Sequence, residues 1–294
     1  MKKKILVGTF LLALLAALFF AWKIFGPAVS NKEAKYFYIK TGETMETVKE
    51  NLVQEKLISN TAWFDRVAGW LKYKSVKPGR YEIKDGTSLV KLIKKLRAGL
   101  QSPIKMVIIK ERTKELFAGK MGKKFDVECD SLQMIQFLSN NNALKKYGVD
   151  TNTVMAIVMP YTYSLNWNST PEKIFEQFYT AYKKFWTDER KVKADSLHLS
   201  QLEVASLASI VDEETNKKED KLNIASTYLN RVRTGMKLQA DPTVKFAMKN
   251  FGLKRVLSVH LKTDSPYNTY MYAGIPPGPI CTPTPETIDA VLNA

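Results

Sequence analysis

Cysteine and histidine are scarce in this chain of 294 residues: Cys129 and Cys281 are the only cysteines, His198 and His260 the only histidines. Two cysteines cannot build a zinc cluster alone and hardly amount to a disulfide framework. The two histidines lie far apart without paired-ligand spacing, which argues against a histidine-based metal site. No GxxxxGK[ST] and no strand-linked GxGxxG occurs, which argues against nucleotide-binding enzymology. Glycine and proline are modest, at 14 and 12, and 45% of the residues are hydrophobic, so collagen-like and disordered classes are excluded. Acidic residues are also short, 29 against 45 Lys and Arg, which leaves a net charge of +16. At roughly 100–200 residues per domain, the length fits two domains or one plus a smaller module.

The excess of positive charge is uneven. Residues 1–110 hold 21 Lys and Arg against 8 Asp and Glu, so +13 of the +16 lies there. Lys2, Lys3 and Lys4 precede Ile5–Trp22, an apolar run broken only by Gly8 and Thr9 and continued by Ile24 and Phe25. Such a run can cross a hydrocarbon core of about 30 Å. It exceeds the roughly 7–15 apolar residues of a cleaved signal peptide, and no clear A-x-A site follows. The expectation is a retained signal anchor over residues 5–25, with residues 1–4 as a cytoplasmic tail and the remainder beyond the membrane. A basic juxtamembrane face suits anionic lipid or an acidic polymer. No nucleic-acid motif is visible, so nucleic acid is not expected as a partner.

Residues 26–35 read as a tether. A weak repeat then follows: Ile39-Lys40-Thr41-Gly42 with Met45, Val48 and Leu52 recurs 44 residues later as Ile83-Lys84-Asp85-Gly86 with Leu89, Leu92 and Leu96. Each copy reads as a strand, a tight turn and an amphipathic helix. The Lys77–Tyr81 turn leads into the second strand, and together they predict a small α+β module over residues 36–98. Met106–Ile109 is a further strand, residues 115–150 read as helices with polar joints, and Thr170-Pro171 opens a helix to about Phe185.

Ser200-Gln-Leu-Glu203 is a capping box, so a helix begins there. With Leu207 at zero and about 100° per residue, Glu214 falls near 340°, within the apolar stripe, whereas Asp212 falls near 140°, away from it. A carboxylate among Leu207, Ile210 and Val211 should have a raised pKa, as a general acid requires. The bland alternative is an exposed acid at a fraying helix end. A second helix follows, roughly Asp220–Arg233, with Leu222, Ala225, Leu229 and Val232 on one face and Gly235 after its end. Asp241 then reads as a cap with Pro242 at the first helical position. Tyr267–Tyr270 reads as an aromatic and polar strand, and Gly274–Ile280 as a stiff loop. Aromatic faces beside Asn and Gln amides suit a sugar groove.

Taken in order, these residues resemble the YceG-like family of endolytic murein transglycosylases. The matching segments are Leu207–Val211 with Glu214-Thr215, Ala225-Ser226, Asn230-Arg231, Gly235-Met236, Leu238-Gln239, Asp241–Val244, Tyr267–Tyr270 and Gly274–Gly278, together with the Lys77–Tyr81 turn. The resemblance implies an α+β protein: an N-terminal transmembrane helix, a LysM-like α+β module at 36–98 and a mixed α/β catalytic domain at 99–294. It implies Glu214 as the catalytic acid, the second Glu of an E-x-E-T pattern whose first acid is here Asp212. Gln239, Asp241, Tyr267, Asn268, Thr269, Tyr270, Pro277 and Gly278 would bind substrate, and no metal or cofactor is implied.

The implied reaction cleaves the β-1,4 bond between N-acetylmuramic acid and N-acetylglucosamine and leaves 1,6-anhydro ends. The implied setting is a bacterial inner membrane, single-pass, with peptidoglycan glycan strands as substrate and penicillin-binding proteins or other synthases as partners. Two departures stand out. The family's Pro-Asp-Thr-Tyr segment reads Pro160-Tyr161-Thr162-Tyr163 here, and family members continue past the helix near Pro285 where this chain stops at Ala294, so a C-terminally shortened catalytic domain is expected. The rival readings are a membrane-anchored peptidoglycan-binding protein without catalysis and an ordinary hydrolase.

Overall fold

A computed structural model describes residues 2–33, 36–125 and 129–294, with the backbone alone for Lys2–Lys4. Met1 of the expected tail, and Ala34 and Lys35 of the expected tether, lie outside the described residues. The chain mixes helix and sheet and divides into two compact units, Met1–Ile104 with Asn166–Asn168, and Lys105–Leu165 with Ser169–Ala294.

The first unit begins with α1 (Lys2–Phe25), so the lysines expected in a tail already belong to the helix. Its Ile5–Phe25 stretch, 21 residues, is long and apolar enough to cross a membrane, which fits either an anchor or a signal sequence. Then come β1 (Tyr36–Ile39), α2 (Met45–Gln54), α3 (Ala62–Trp70), β2 (Gly79–Glu82) and α4 (Leu89–Ala98). The two strand–turn–helix copies are both present, and they are brought together by antiparallel pairing of β1 with β2 in the register Tyr36↔Glu82 to Ile39↔Gly79. Both turns need glycine, because Gly42 and Gly86 take φ of +86° and +71°, a region that penalises a Cβ. Thr44 and Ser88 cap the two helices by accepting hydrogen bonds from Thr47 N and Lys91 N. Phe37, Ile39, Leu52, Phe64, Tyr81, Leu92 and Leu96 form the core of this unit.

The tether expectation needs correction. Ala28 N and Val29 N donate to Thr87 O, Ser30 N donates to Leu57 O and Gly86 N donates to Val29 O. Val29 is buried. A backbone segment with its donors already satisfied by the module is part of that module, and a free spacer would have left them to water.

The second unit holds β3 (Ile104–Val107, counted from its last residue in the first unit), α5 (Lys114–Phe125), α6 (Ser131–Leu138), α7 (Asn141–Leu144), β4 (Thr162–Leu165), α8 (Pro171–Phe185), α9 (Asp188–Ser196), α10 (Gln201–Glu214), α11 (Lys218–Arg233), α12 (Asp241–Ala247) and α13 (Pro285–Leu292). It is mainly helical; β3 pairs with β4 in its two-stranded sheet. The Thr170–Pro171 opening of α8 and the Ser200–Glu203 capping box of α10 form as expected. Tyr267–Tyr270 is a turn and not a strand. Asn268 is the reason: its side-chain nitrogen donates to Leu261 O and Thr263 O, and its oxygen accepts from Tyr270 N. Side-chain bonding to nearby backbone competes with a ladder and closes the segment on itself.

Candidate active site

Helix α10 is enclosed. Every residue from Val204 to Asp212 is buried, so over this stretch the helix has no solvent face. A wheel separates core from surface only when one face is wet, and here that premise fails. The result is a reversal of the expectation: Asp212 is buried at 3% exposure, and Glu214, the last residue of α10, is exposed.

Three successive acids at this helix end have three different settings. Asp212 accepts from Lys221 Nζ at 2.9 Å, Thr287 Oγ1 at 2.5 Å and Thr284 N at 2.6 Å, so it joins α10 to α11 and to the start of α13. Glu213 pairs with Lys110 at 3.2 Å and Arg112 at 3.0 Å, while Lys110 also donates to Asp212 O at 2.7 Å. That lysine satisfies a carbonyl the helix terminus leaves open. Among the described residues no cation makes such contact with Glu214. Its pKa is raised, first by loss of solvation and second by the nearby Asp241 charge; a hydrogen bond from Tyr228 and the Lys245 charge pull the other way. Glu214 is exposed at the surface, yet its carboxyl is partly desolvated, with Tyr228 and Asp241 near enough to act on it. The negative end of the α10 dipole acts in the same direction as Asp241.

The remaining expected site residues fall into three groups. Asp241 and Tyr270 belong with Glu214: Tyr270 Oη donates to Asp241 Oδ1 at 2.7 Å, and the Tyr270 pKa rises to about 12 through burial, this bond and the charges of Asp241 and Glu214. Asp241 does not cap α12, as expected from the sequence; Ala240 occupies the cap and Asp241 is the first helical residue, leaving its carboxylate for Tyr270. Gln239 is exposed with φ +52°, an unfavourable backbone for a residue with a Cβ, held by Gln239 N donating to Thr269 O. Asn268 and Thr269 are buried, and their polar atoms serve the fold: Thr269 Oγ1 bonds Ala240 N and Thr243 Oγ1. Their side chains hold the Ala240 and Leu261–Tyr270 backbone in place.

Tyr267, Pro277 and Gly278 belong to the loop that closes this region. Tyr267 packs on Phe246 with ring centroids 4.7 Å apart. Pro277 is exposed. At Gly278 a Cβ would come within 2.1 Å of Asn152 O, so only glycine fits. The loop then runs along α10, with Ile280 N donating to Ser209 Oγ and Thr284 N to Asp212. Tyr161, in the altered Pro160–Tyr163 segment, is partly exposed, and its backbone oxygen accepts from Ile108 N.

Tyr228 and Lys245 were not legible as site residues. Tyr228 could have been found: it stands three residues after Ala225 on the face that packs inward. The sequence pattern puts Leu222 on that face, but it is exposed at 45%, while Lys221 is buried because Asp212 holds its ammonium.

The opposed neighbours of Glu214 make a direct prediction. Tyr228→Phe removes a hydrogen bond that favours the carboxylate, so the Glu214 pKa should move further up; Asp241→Asn removes a repulsion, so it should move down. NMR titration of the Glu214 carboxyl carbon reads both, and shifts of the same sign in the two variants would rule out this account.

A sequence model described as the YceG-like family matches residues 37–294. Curated relatives named endolytic murein transglycosylase are similar to this chain. The one from Bacillus subtilis (strain 168) is 28% identical over 279 residues, covering 87% of this chain and 74% of its own length. The one from Streptococcus pneumoniae serotype 2 (strain D39 / NCTC 7466) is 25% identical over 284 residues, covering 87% of this chain and 51% of its own, so the chain spans about half the length of that relative. The crystal structure of a yceG-like protein from Listeria monocytogenes resembles the fold with a TM-score of 0.57 at 23% identity, over 89% of this chain and 90% of that one.

Proposed function

The chain belongs to the YceG-like family, and we propose from that membership and from the setting of Glu214 that it is a lytic transglycosylase acting endolytically on peptidoglycan. The observation that carries the chemistry is Glu214 itself: a solvent-reachable carboxyl at a helix end whose pKa is raised by desolvation and by Asp241. A carboxyl that holds its proton to higher pH than usual is better placed to give it to a glycosidic oxygen.

The bond in this reading is the β-1,4 linkage from N-acetylmuramic acid to N-acetylglucosamine. Glu214 protonates the leaving oxygen while positive charge grows at the anomeric carbon. The resulting carboxylate then takes the proton of the muramic acid C6 hydroxyl, and that oxygen closes the 1,6-anhydro ring. One carboxylate serves both steps, no water is consumed, and the proton count is restored at the end. Tyr228, Asp241 and Lys245 set the charge around it, and the exposed Gln239 and Pro277 are free to contact the sugar chain. Residues 36–98 of the first unit serve as a LysM-like module, and α1 serves as a retained single-pass anchor with its lysines on the cytoplasmic side of the inner membrane. That placement puts Glu214 where strands emerge from penicillin-binding proteins or other synthases, so that cleavage limits strand length.

A second reading has one observation in its favour. Asp241 lies close enough to Glu214 to raise its pKa, and a pair of carboxylates is what an ordinary hydrolase uses. The two readings differ by one water in the product. Mass spectrometry of purified glycan strands incubated with the full chain is expected to show anhydro ends. Reducing ends would establish the hydrolase instead, and intact strands would point to a binding protein without catalysis.

A further inference from the structure

Within the first unit, the end of α1 and the helix α3 share an aromatic surface that the chemistry at Glu214 does not use. Trp63 of α3 meets the rings of Phe19 and Phe20 edge-on, with centroids 6.3 and 5.5 Å apart, and Trp70 meets Phe25 at 6.3 Å. Phe19 to Phe25 rises roughly 9 Å along α1, and Trp63 to Trp70 rises roughly 10 Å along α3, at 1.5 Å per residue. Helix α3 therefore runs beside the last turns of α1. These edge contacts leave much of the surface open: Phe19, Phe20 and Phe25 are exposed, and Trp70 is 61% exposed.

The chain leaves the module no room to move away from α1. Ala28 N and Val29 N are already bonded to Thr87 O, and Gly26 N donates back to Trp22 O. Only Gly26 and Pro27 separate Phe25 from backbone fixed to the module, a reach of at most about 11 Å. Where α1 leaves a bilayer, α3 must stand at the same level. Trp22 and Lys23 mark that level, because an indole and the first charge of the apolar run belong where hydrocarbon gives way to headgroups. Trp22, Lys23 and Trp63 line one small cavity together with Ser59 and Asn60.

Helix α3 has one wet side, so its wheel is informative. With Trp63 at zero and about 100° per residue, Trp70 falls near 340° and Arg66 near 300°. Phe64, Val67 and Ala68 fall between about 40° and 140° and are buried in the module core. Asp65, the one acid of α3, falls near 200°, roughly opposite the indoles, and pairs with Lys49 at 3.0 Å. The outer stripe thus carries two indoles and a cation, and no acid. The Arg66 guanidinium stands 4.8 Å over the Trp63 ring, and the Lys23 ammonium 5.2 Å over Trp22. Indoles with an apolar body and a polar N–H suit the headgroup layer, and cations beside them suit lipid phosphates. Lipid is the occupant because α1, once it spans, brings lipid to this stripe without a further binding step.

We propose that α3 is an interfacial helix whose Trp63, Arg66 and Trp70 stripe rests among the headgroups of an anionic bilayer and seats the first unit directly on the membrane. This rests on the reading of α1 as a retained anchor.

The test uses the full chain reconstituted into vesicles of phosphatidylcholine and phosphatidylglycerol, with bromine near the top of the phosphatidylcholine acyl chains to quench adjacent indoles. Trp167 and Trp186 are buried and stay bright. Trp22→Phe removes the reporter within α1, and the emission of that variant is still expected to fall on bromination. Adding Trp70→Phe, an exposed position whose replacement spares the core, should remove the share of the fall that Trp70 contributes. Arg66→Gln should lower the quenched fraction, with the ratio of docked to free module down about fivefold, the worth of one cation at an anionic surface. Omitting phosphatidylglycerol should act in the same direction. If the unsubstituted chain is quenched and Trp22→Phe is not, α1 is in lipid while the stripe stays in water, so the proposal falls and the anchor stands. If the unsubstituted chain is not quenched either, the anchor reading falls and the proposal with it. If Trp22→Phe is quenched as strongly as the unsubstituted chain, α3 is docked and the anchor reading alone fails. Quenching indifferent both to Arg66→Gln and to phosphatidylglycerol overturns the anionic surface as partner.

Discussion

Glu214→Gln is expected to lower strand cleavage about 10²–10⁴-fold, the usual worth of a general acid and base, and to leave the protein at least as stable as before. The second half follows from the direction of the pKa shift. Desolvation and Asp241 raise the Glu214 pKa above the ordinary 4.5, so above that pH the native state binds more protons at this group than the unfolded chain does. Stability then falls as pH rises through the window from 4.5 up to the native pKa, and the loss persists at neutrality. Gln carries no charge to desolvate and is free of this penalty. Thermal unfolding of both proteins at pH 4 and pH 7 should therefore show the unsubstituted protein losing ground to the variant at the higher pH. A site that trades stability for a poised acid behaves in this way. If the variant loses cleavage and stability together, Glu214 is a structural residue and the acid lies elsewhere. The pH–rate profile carries the same sign: cleavage should fall as pH rises through the Glu214 pKa, and Asp241→Asn should move that fall to lower pH.

What could be read from the sequence was whatever depends on neighbours within a few residues. The capping box at Ser200, the proline start of α8, the two strand–turn–helix copies and the Gly42 and Gly86 turns are local rules, and each formed. Order along the chain also carried the family resemblance. The failures have a common cause. Placing Asp212 on an outer face assumed a wet side of α10, but α11, α13 and the 278–284 loop enclose it. Reading Tyr267–Tyr270 as a strand missed the Asn268 amide, whose partners at Leu261 and Thr263 are fixed by a turn the pattern does not encode. The tether looked free because Thr87 and Leu57, which accept its amide hydrogens, are distant in sequence. Tyr228 and Lys245 joined the site only when tertiary packing brought α11 and α12 to Glu214.

Asp212→Ala should be the most destabilising single change near Glu214, by about 3–5 kcal/mol, because it leaves the Lys221 ammonium buried without its charge partner. In a domain of this size that is a fall in Tm on the order of 10 °C. The loss should greatly exceed that of Glu213→Ala, whose partners Lys110 and Arg112 are exposed enough to turn to water. The pairing makes a sharper claim than the single variant. Lys221→Met strands the opposite charge, so it too should be costly, but Asp212→Asn with Lys221→Met removes both charges and should cost less than the sum of the singles by more than about 0.5 kcal/mol. Additive losses would mean that the two groups do not act as a pair. The consequence for function is positional. Asp212 pins the last turn of α10 to Thr284 N and Thr287 Oγ1, and Glu214 is the next residue but one on that turn. In the double variant, measured below its lowered Tm so that the molecules are folded, cleavage should still fall, and the pH at which it falls should move down. A carboxyl displaced by a loosened helix end loses both its aim and the desolvated setting beside Asp241 that raises its pKa.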